Sequence, residues 1–189
     1  MKKTLTVFSL MVFLVACASP LFAGTDPPEM GGVLPQITLS VPENPGRQSY
    51  LGVTGKETFT IPEIKAEVVI VEIYSMYCPF CQAEAPLINE LYTKIQRTGN
   101  LKDKIKLIGI AAGNSEFEVD VYRKKYTVEF PLFEDGDFVI HKSIGEVRTP
   151  YFIGIKNNKD GTHTVVYSKL GTIKNADKFI ELITRDAGL

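Results

Sequence analysis

The sequence has no tryptophan, three cysteines and two histidines among 189 residues. Each scarcity excludes something. A zinc site needs four ligands. His141 and His163 have no ligand-like spacing to the cysteines. Three cysteines cannot form a framework of structural staples. Basic runs are also missing, and the net charge is −1 from 21 basic and 22 acidic side chains. A nucleic-acid partner therefore has no electrostatic support. No stretch after the first 25 residues is apolar enough for a membrane span.

What is present describes one globular domain behind an export signal. A length of 189 residues supports one proper core. The 44% apolar and 23% charged fractions are ordinary for a folded protein. Lys2 and Lys3 form a positive start, and Leu5 to Ala16 is an apolar stretch too short to span a bilayer. Leu14-Val15-Ala16-Cys17 resembles the lipobox of bacterial lipoproteins, with residues 1–16 as signal and Cys17 as the lipidated first residue. The alternatives are cleavage after Ala18 or Ala23, which discard Cys17. Residues 17–34 read as a tether and 35–189 as the domain.

Only Cys78 and Cys81 then remain, and a loop that small constrains little. Ahead of them Val68 to Tyr74 is a β-branched apolar run, the pattern of a strand buried on both faces. A helix follows over about Pro79–Arg97, with Leu87, Ile88, Leu91, Tyr92 and Ile95 as its apolar stripe and Pro86 inside it. Ile105–Ala111 repeats the buried-strand pattern, and Ser115 with Glu118 forms a capping box for a second helix. Further on come strands at 130–133 and 151–155 and a short helix from Asp137 to Gly145. A turn at 157–161 leads to a hairpin strand at 164–169, and Asn175 caps a last helix. Between Val33 and Ile64, short strands at 36–39 and 57–60 are expected at a sheet edge. Strands alternating with helices imply an α/β three-layer domain with a central mixed sheet.

The pair Cys78-Pro79-Phe80-Cys81 sits where a buried strand meets a helix. Unpaired N–H groups and the helix dipole there favour a thiolate at Cys78. Cys81, one turn on, is placed to resolve a mixed disulfide. Pro79 fixes the first helical turn. An inert disulfide and half of a zinc site are the alternative readings of the same residues.

Residues Val68 to Tyr92 resemble the active-site segment of the thioredoxin superfamily, most closely its exported TlpA/ResA-like branch. The resemblance runs from roughly Pro35 to the C-terminus. It implies a thioredoxin-like fold and a thiol–disulfide oxidoreductase whose only redox group is the Cys78–Cys81 pair. It also implies that Thr149-Pro150 is a cis-proline loop facing Cys78, where substrate backbone binds as an added strand. Glu72 matches the buried carboxylate position of thioredoxin and could relay the proton of Cys81. The alternative is a strand-end glutamate paired with Lys65 or Lys102. Glu84 matches a glutamate that tunes the cysteines in the TlpA/ResA-like branch; the alternative is a solvent-facing helix residue. Tyr77 stands near where the family often has tryptophan, and with Pro79 and Phe80 it flanks the thiol as candidate substrate contacts.

The resemblance implies protein thiols and disulfides as substrates and a membrane thiol as electron donor. Three other functions compete. One is a disulfide-forming oxidase. Another is a Cu(I)-handling module, since soft thiolates suit that ion. A peroxidatic Pro-x-x-x-Thr-x-x-Cys motif is discounted, because Val71 and Ser75 stand at its proline and threonine positions.

Overall fold

The computed structural model describes residues 26–189. The segment read as an export signal, with Cys17 and Ala23, lies outside the described residues. Among the described residues, no helix is long and apolar enough to cross a membrane.

The chain opens with β1 (Thr38–Ser40), α1 (Pro45–Leu51) and β2 (Thr58–Thr60), followed by a single 3-10 turn at Ile61–Glu63. Then come β3 (Val68–Tyr74), α2 (Pro79–Arg97), α3 (Leu101–Lys104) and β4 (Ile105–Ala112). The second half holds α4 (Glu116–Tyr126), β5 (Leu132–Asp135), α5 (Val139–Ser143), β6 (Tyr151–Asn157), β7 (His163–Leu170) and α6 (Ala176–Ala187).

Five strands form one sheet in the order β5-β4-β3-β6-β7. β3, β4 and β5 run parallel, and β6 and β7 are antiparallel to their neighbours. Every residue of β3 and β4 is buried, as their nearly continuous apolar runs require. Alternation along β3 divides the core. Val68, Ile70 and Tyr74 join the side chains of α2, α4 and α6 on one face. Val69, Val71 and Ile73 join those of β1, β2 and Leu51 of α1 on the other.

The two N-terminal strands differ from expectation. They pair with each other as a separate two-stranded sheet rather than lining an edge of the main one. They cover the second core, where Leu39 and Phe59 are buried. Helix α1 was not expected from the sequence. Asn44 caps it by accepting from the Arg47 N–H at 3.1 Å, Pro45 occupies the first turn, and Gly52 ends it at φ +72°. Its Tyr50 hydroxyl accepts from the Leu107 N–H at 2.7 Å. That bond serves the part of β4 that the shorter β5 leaves unpaired, since β5 pairs only with Gly109–Ala112.

The remaining elements follow the sequence closely. The Ser115 and Glu118 box caps α4. Asn175 caps α6 by accepting from the Lys178 N–H at 2.9 Å. The strand expected at 130–133 sits two residues later. Residues 31 and 32, within the stretch read as a tether, lie along β7. Gly31 N–H donates to Val165 C=O at 2.8 Å, and Val165 N–H donates to Gly32 C=O at 2.9 Å.

Candidate active site

The C-terminal ends of the three parallel strands set the position of the site. β3 ends at Tyr74, and Ser75, Met76 and Tyr77 carry the chain to Cys78 at the N-cap of α2. The turn closes through Cys78 N–H to Ser75 C=O at 3.0 Å, and the helix begins with Gln82 N–H to Cys78 C=O at 3.0 Å.

The two thiols are unequal. Cys78 is half-buried and Cys81 fully buried. Partial burial alone would raise the Cys78 thiol. Hydrogen bonds from the Thr149 side chain, from the Cys81 thiol and from the backbone N–H groups of Cys81 and Phe80 outweigh it, and the net direction is down. These are the orphan donors of a helix start. Burial pushes Cys81 well above the ordinary thiol range; nearby Cys78 and Glu72 add to this, while a backbone hydrogen bond at Ser75 opposes it. Tyr122 donates to the Cys81 carbonyl at 3.1 Å and fixes that turn from α4.

Thr149-Pro150 is a cis peptide, and it faces the first thiol. The Cys78 Sγ–H donates to the Thr149 carbonyl at 3.4 Å. As a thiolate, Cys78 loses that contact and keeps the helix N–H groups. Pro150 is buried, and its carbonyl accepts from Gly171 N–H at 2.9 Å.

Glu72 projects from β3 to the same face as Cys81 and is only 3% exposed. Among the described residues, no lysine pairs with it, so the Lys65 or Lys102 alternative does not hold. One of its oxygens has no hydrogen-bond partner. Burial raises its pKa to about 8, with the charges of Glu84 and Cys78 adding to the effect. Glu84 is also buried, at 4% exposure, and so is not a solvent-facing helix residue. Its carboxylate accepts from the Ile173 N–H in the loop before α6. Burial raises its pKa to about 7, against that hydrogen bond.

Tyr77, Pro79 and Phe80 are exposed around the thiol. Tyr77 is 65% exposed. Its hydroxyl donates to Glu118, the residue that completes the α4 capping box.

Asn114 escaped the sequence reading. It is fully buried beyond the end of β4 and accepts from the Met76 N–H at 2.8 Å. Asp135 escaped it too. Its carboxylate takes the N–H groups of Ile140 and His141 at 2.9 and 2.8 Å and so starts α5. A lone Asn or Asp just past an apolar strand was the available signal, but the same signal marks any turn. Among the described residues, no three His, Cys, Asp or Glu side chains gather closely enough to hold a metal ion.

This arrangement can carry out thiol–disulfide exchange: a stabilised thiolate outside, a protonated thiol inside and an ionisable carboxyl on the inner thiol's face. Known proteins point the same way. A Bacillus cereus protein named thiol-disulfide oxidoreductase ResA is 25% identical over 170 residues, 85% of this chain and 86% of that one. The structure of StoA from Bacillus subtilis superposes with a TM-score of 0.56 at 20% identity, over 79% of this chain and 97% of that one. A thiol:disulfide interchange protein DsbE from Chlorobium tepidum, so described provisionally, gives 0.60 at 11% identity, over 85% and 99%. These likenesses make the fold thioredoxin-like. Residues 34–176 match the AhpC/TSA family, a span that holds both thiols, the cis-proline loop and all five strands of the main sheet, and the chain belongs to that family within the thioredoxin superfamily.

Proposed function

We propose that the protein is an exported thiol–disulfide oxidoreductase that reduces disulfides of other exported proteins. The inequality of the two thiols supports this reading best. The Cys78 thiolate attacks a substrate disulfide, forms a mixed disulfide and releases one substrate thiolate. Cys81 loses its proton, attacks the Cys78 sulfur and releases the second substrate thiolate. The substrate gains two electrons, and the protein is left with a Cys78–Cys81 disulfide. Glu72 in its ionised form accepts the Cys81 proton as the resolving step begins, and a pKa raised to about 8 makes that form a stronger base than an ordinary carboxylate. Glu84 adds to that elevation and tunes the pair. Substrate backbone lies against Thr149 and Pro150, flanked by Tyr77, Pro79 and Phe80. The pair itself is the redox centre, and no bound cofactor enters the cycle.

An oxidising compartment does not restore the dithiol, so a membrane thiol donor completes the cycle. The positive start and apolar stretch of residues 2–16 support export. The lipobox-like Leu14–Cys17 supports an anchor through lipidated Cys17.

The reduction potential of the pair tests the direction. The purified protein is equilibrated in graded thiol buffers, and the oxidised fraction is read by trapping free thiols. A value near that of thioredoxin, about −270 mV, is expected. A value near about −120 mV makes the protein an oxidase instead.

A further inference from the structure

Three residues, Ser75, Met76 and Tyr77, join β3 to the nucleophile's helix. Met76 is the middle one, and side chains from two different elements take both of its backbone polar groups. Its N–H donates to Asn114 Oδ1 at 2.8 Å. Its C=O accepts from Gln82 Nε2 at 2.6 Å. Asn114 is itself immobilised. It is fully buried, its amide donates to the Gly113 carbonyl at 3.0 Å, and its own carbonyl accepts from Asp135 N–H at 3.3 Å. Gln82 sits on α2 directly after Cys81 and is half-buried.

A three-residue connection has few internal hydrogen bonds to define it. Here the link supplies only Cys78 N–H to Ser75 C=O and a longer Tyr77 N–H to Ser75 Oγ contact at 3.4 Å. The side chains of Asn114 and Gln82 supply both bonds at Met76. They hold one residue by both its backbone polar groups, one from beyond β4 and one from α2.

We propose that Asn114 and Gln82 clamp Met76 so that the Cys78 sulfur is held against the N–H groups at the head of α2. They are positioning residues, and neither touches the reacting sulfur. The inference rests on Cys78 being the attacking thiol. The thiolate is favoured by contacts with the N–H groups of Phe80 and Cys81, which depend on the sulfur's direction. Releasing either end of the Met76 residue lets the connection turn and weakens those contacts. The connection is also tied at Tyr77 to Glu118, so the loss is partial.

The test is the pH profile of Cys78 alkylation by iodoacetamide in the full-length reduced protein, with peptide mapping to separate Cys78 from the other thiols. Gln82→Met keeps bulk and removes the donor. Asn114→Ala removes the acceptor. Each should move the Cys78 profile upward by about half to one pH unit, which is about 3- to 10-fold less thiolate below the midpoint. Asn89→Ala is the control. It removes another α2 side chain's bond to backbone, Asn89 Nδ2 to Tyr126 C=O at 2.7 Å, away from the thiols. It should lower the melting temperature and leave the profile in place. An unmoved profile in Gln82→Met overturns the clamp, as does an equal movement in Asn89→Ala. Should Asn114→Ala fail to fold, Gln82→Met decides alone. If Cys78 in the unmodified protein alkylates no faster than an ordinary thiol, the attacking-thiol reading fails and the clamp with it.

Discussion

Replacing Glu72 by glutamine should change how stability responds to pH. The carboxyl titrates near 4.5 in an unfolded chain and at about 8 in the folded one. Between those values the folded state keeps a proton that the unfolded state has released. Stability therefore falls as pH rises through that window and levels off above it. Each pH unit is worth about 1.4 kcal/mol, so the full window costs at most about 5 kcal/mol. Glutamine has the same shape and no charge, which removes this dependence. Glu84 is present in both proteins, so its own titration largely cancels in the comparison. The buried amide brings its own unsatisfied groups, but that offset is the same at every pH. The assay is urea unfolding of the reduced proteins at pH 4, 6 and 8. The stability of Glu72→Gln relative to the parent should grow by several kcal/mol from pH 4 to pH 8. Parallel pH dependences in the two proteins would falsify the raised carboxyl and, with it, the proton-accepting role given to Glu72. In the exchange cycle, the same variant should form the mixed disulfide at the parent rate and resolve it more slowly.

Two more outcomes follow from the site and its support. Cys81→Ser should accumulate a mixed disulfide through Cys78, visible by mass spectrometry without reductant, and Cys78→Ser should accumulate none; a trapped adduct on Cys81 instead would reverse the order of attack. Gly113→Ala should cost about 1–3 kcal/mol in urea unfolding, because φ is +67° there and a Cβ would stand 2.2 Å from the Phe138 ring. A loss below about half a kcal/mol would mean that the ring swings aside freely.

Much of the fold could be read from residue pattern. The nearly continuous apolar runs of β3 and β4 identified the centre of the sheet because burial on both faces leaves no polar alternation. Capping residues identified α4 and α6 for an equally local reason. Helix α1 escapes the sequence pattern because Pro45, Gly46 and Gly52 read as breaks, although Pro45 lies in the first turn and Gly52 just past the end. At the site, the two cysteines and the Thr149-Pro150 loop could be placed from sequence. The burial of Glu84 could not, since it depends on Ile173, 89 residues away, arriving with a free N–H. The same holds for Asn114, whose partner Met76 lies 38 residues earlier on a different loop. Such pairings are decided by tertiary packing, and an isolated polar residue carries no mark of them.

The pairing of Gly31 and Gly32 with Val165 bears on how the molecule avoids its own kind. A five-stranded sheet has two outer strands, each offering a row of backbone groups to any passing chain. β5 is four residues long and makes a poor template. β7 is eight residues long and alternates backbone groups along an otherwise open border. The two glycines occupy the Val165 N–H and C=O near the start of that border. Gly31 takes a positive φ of +84° there, and the two bonds interrupt the ladder that a second molecule could extend. A segment that reads as a mere connection thus shortens the open margin of the sheet at its longer outer strand.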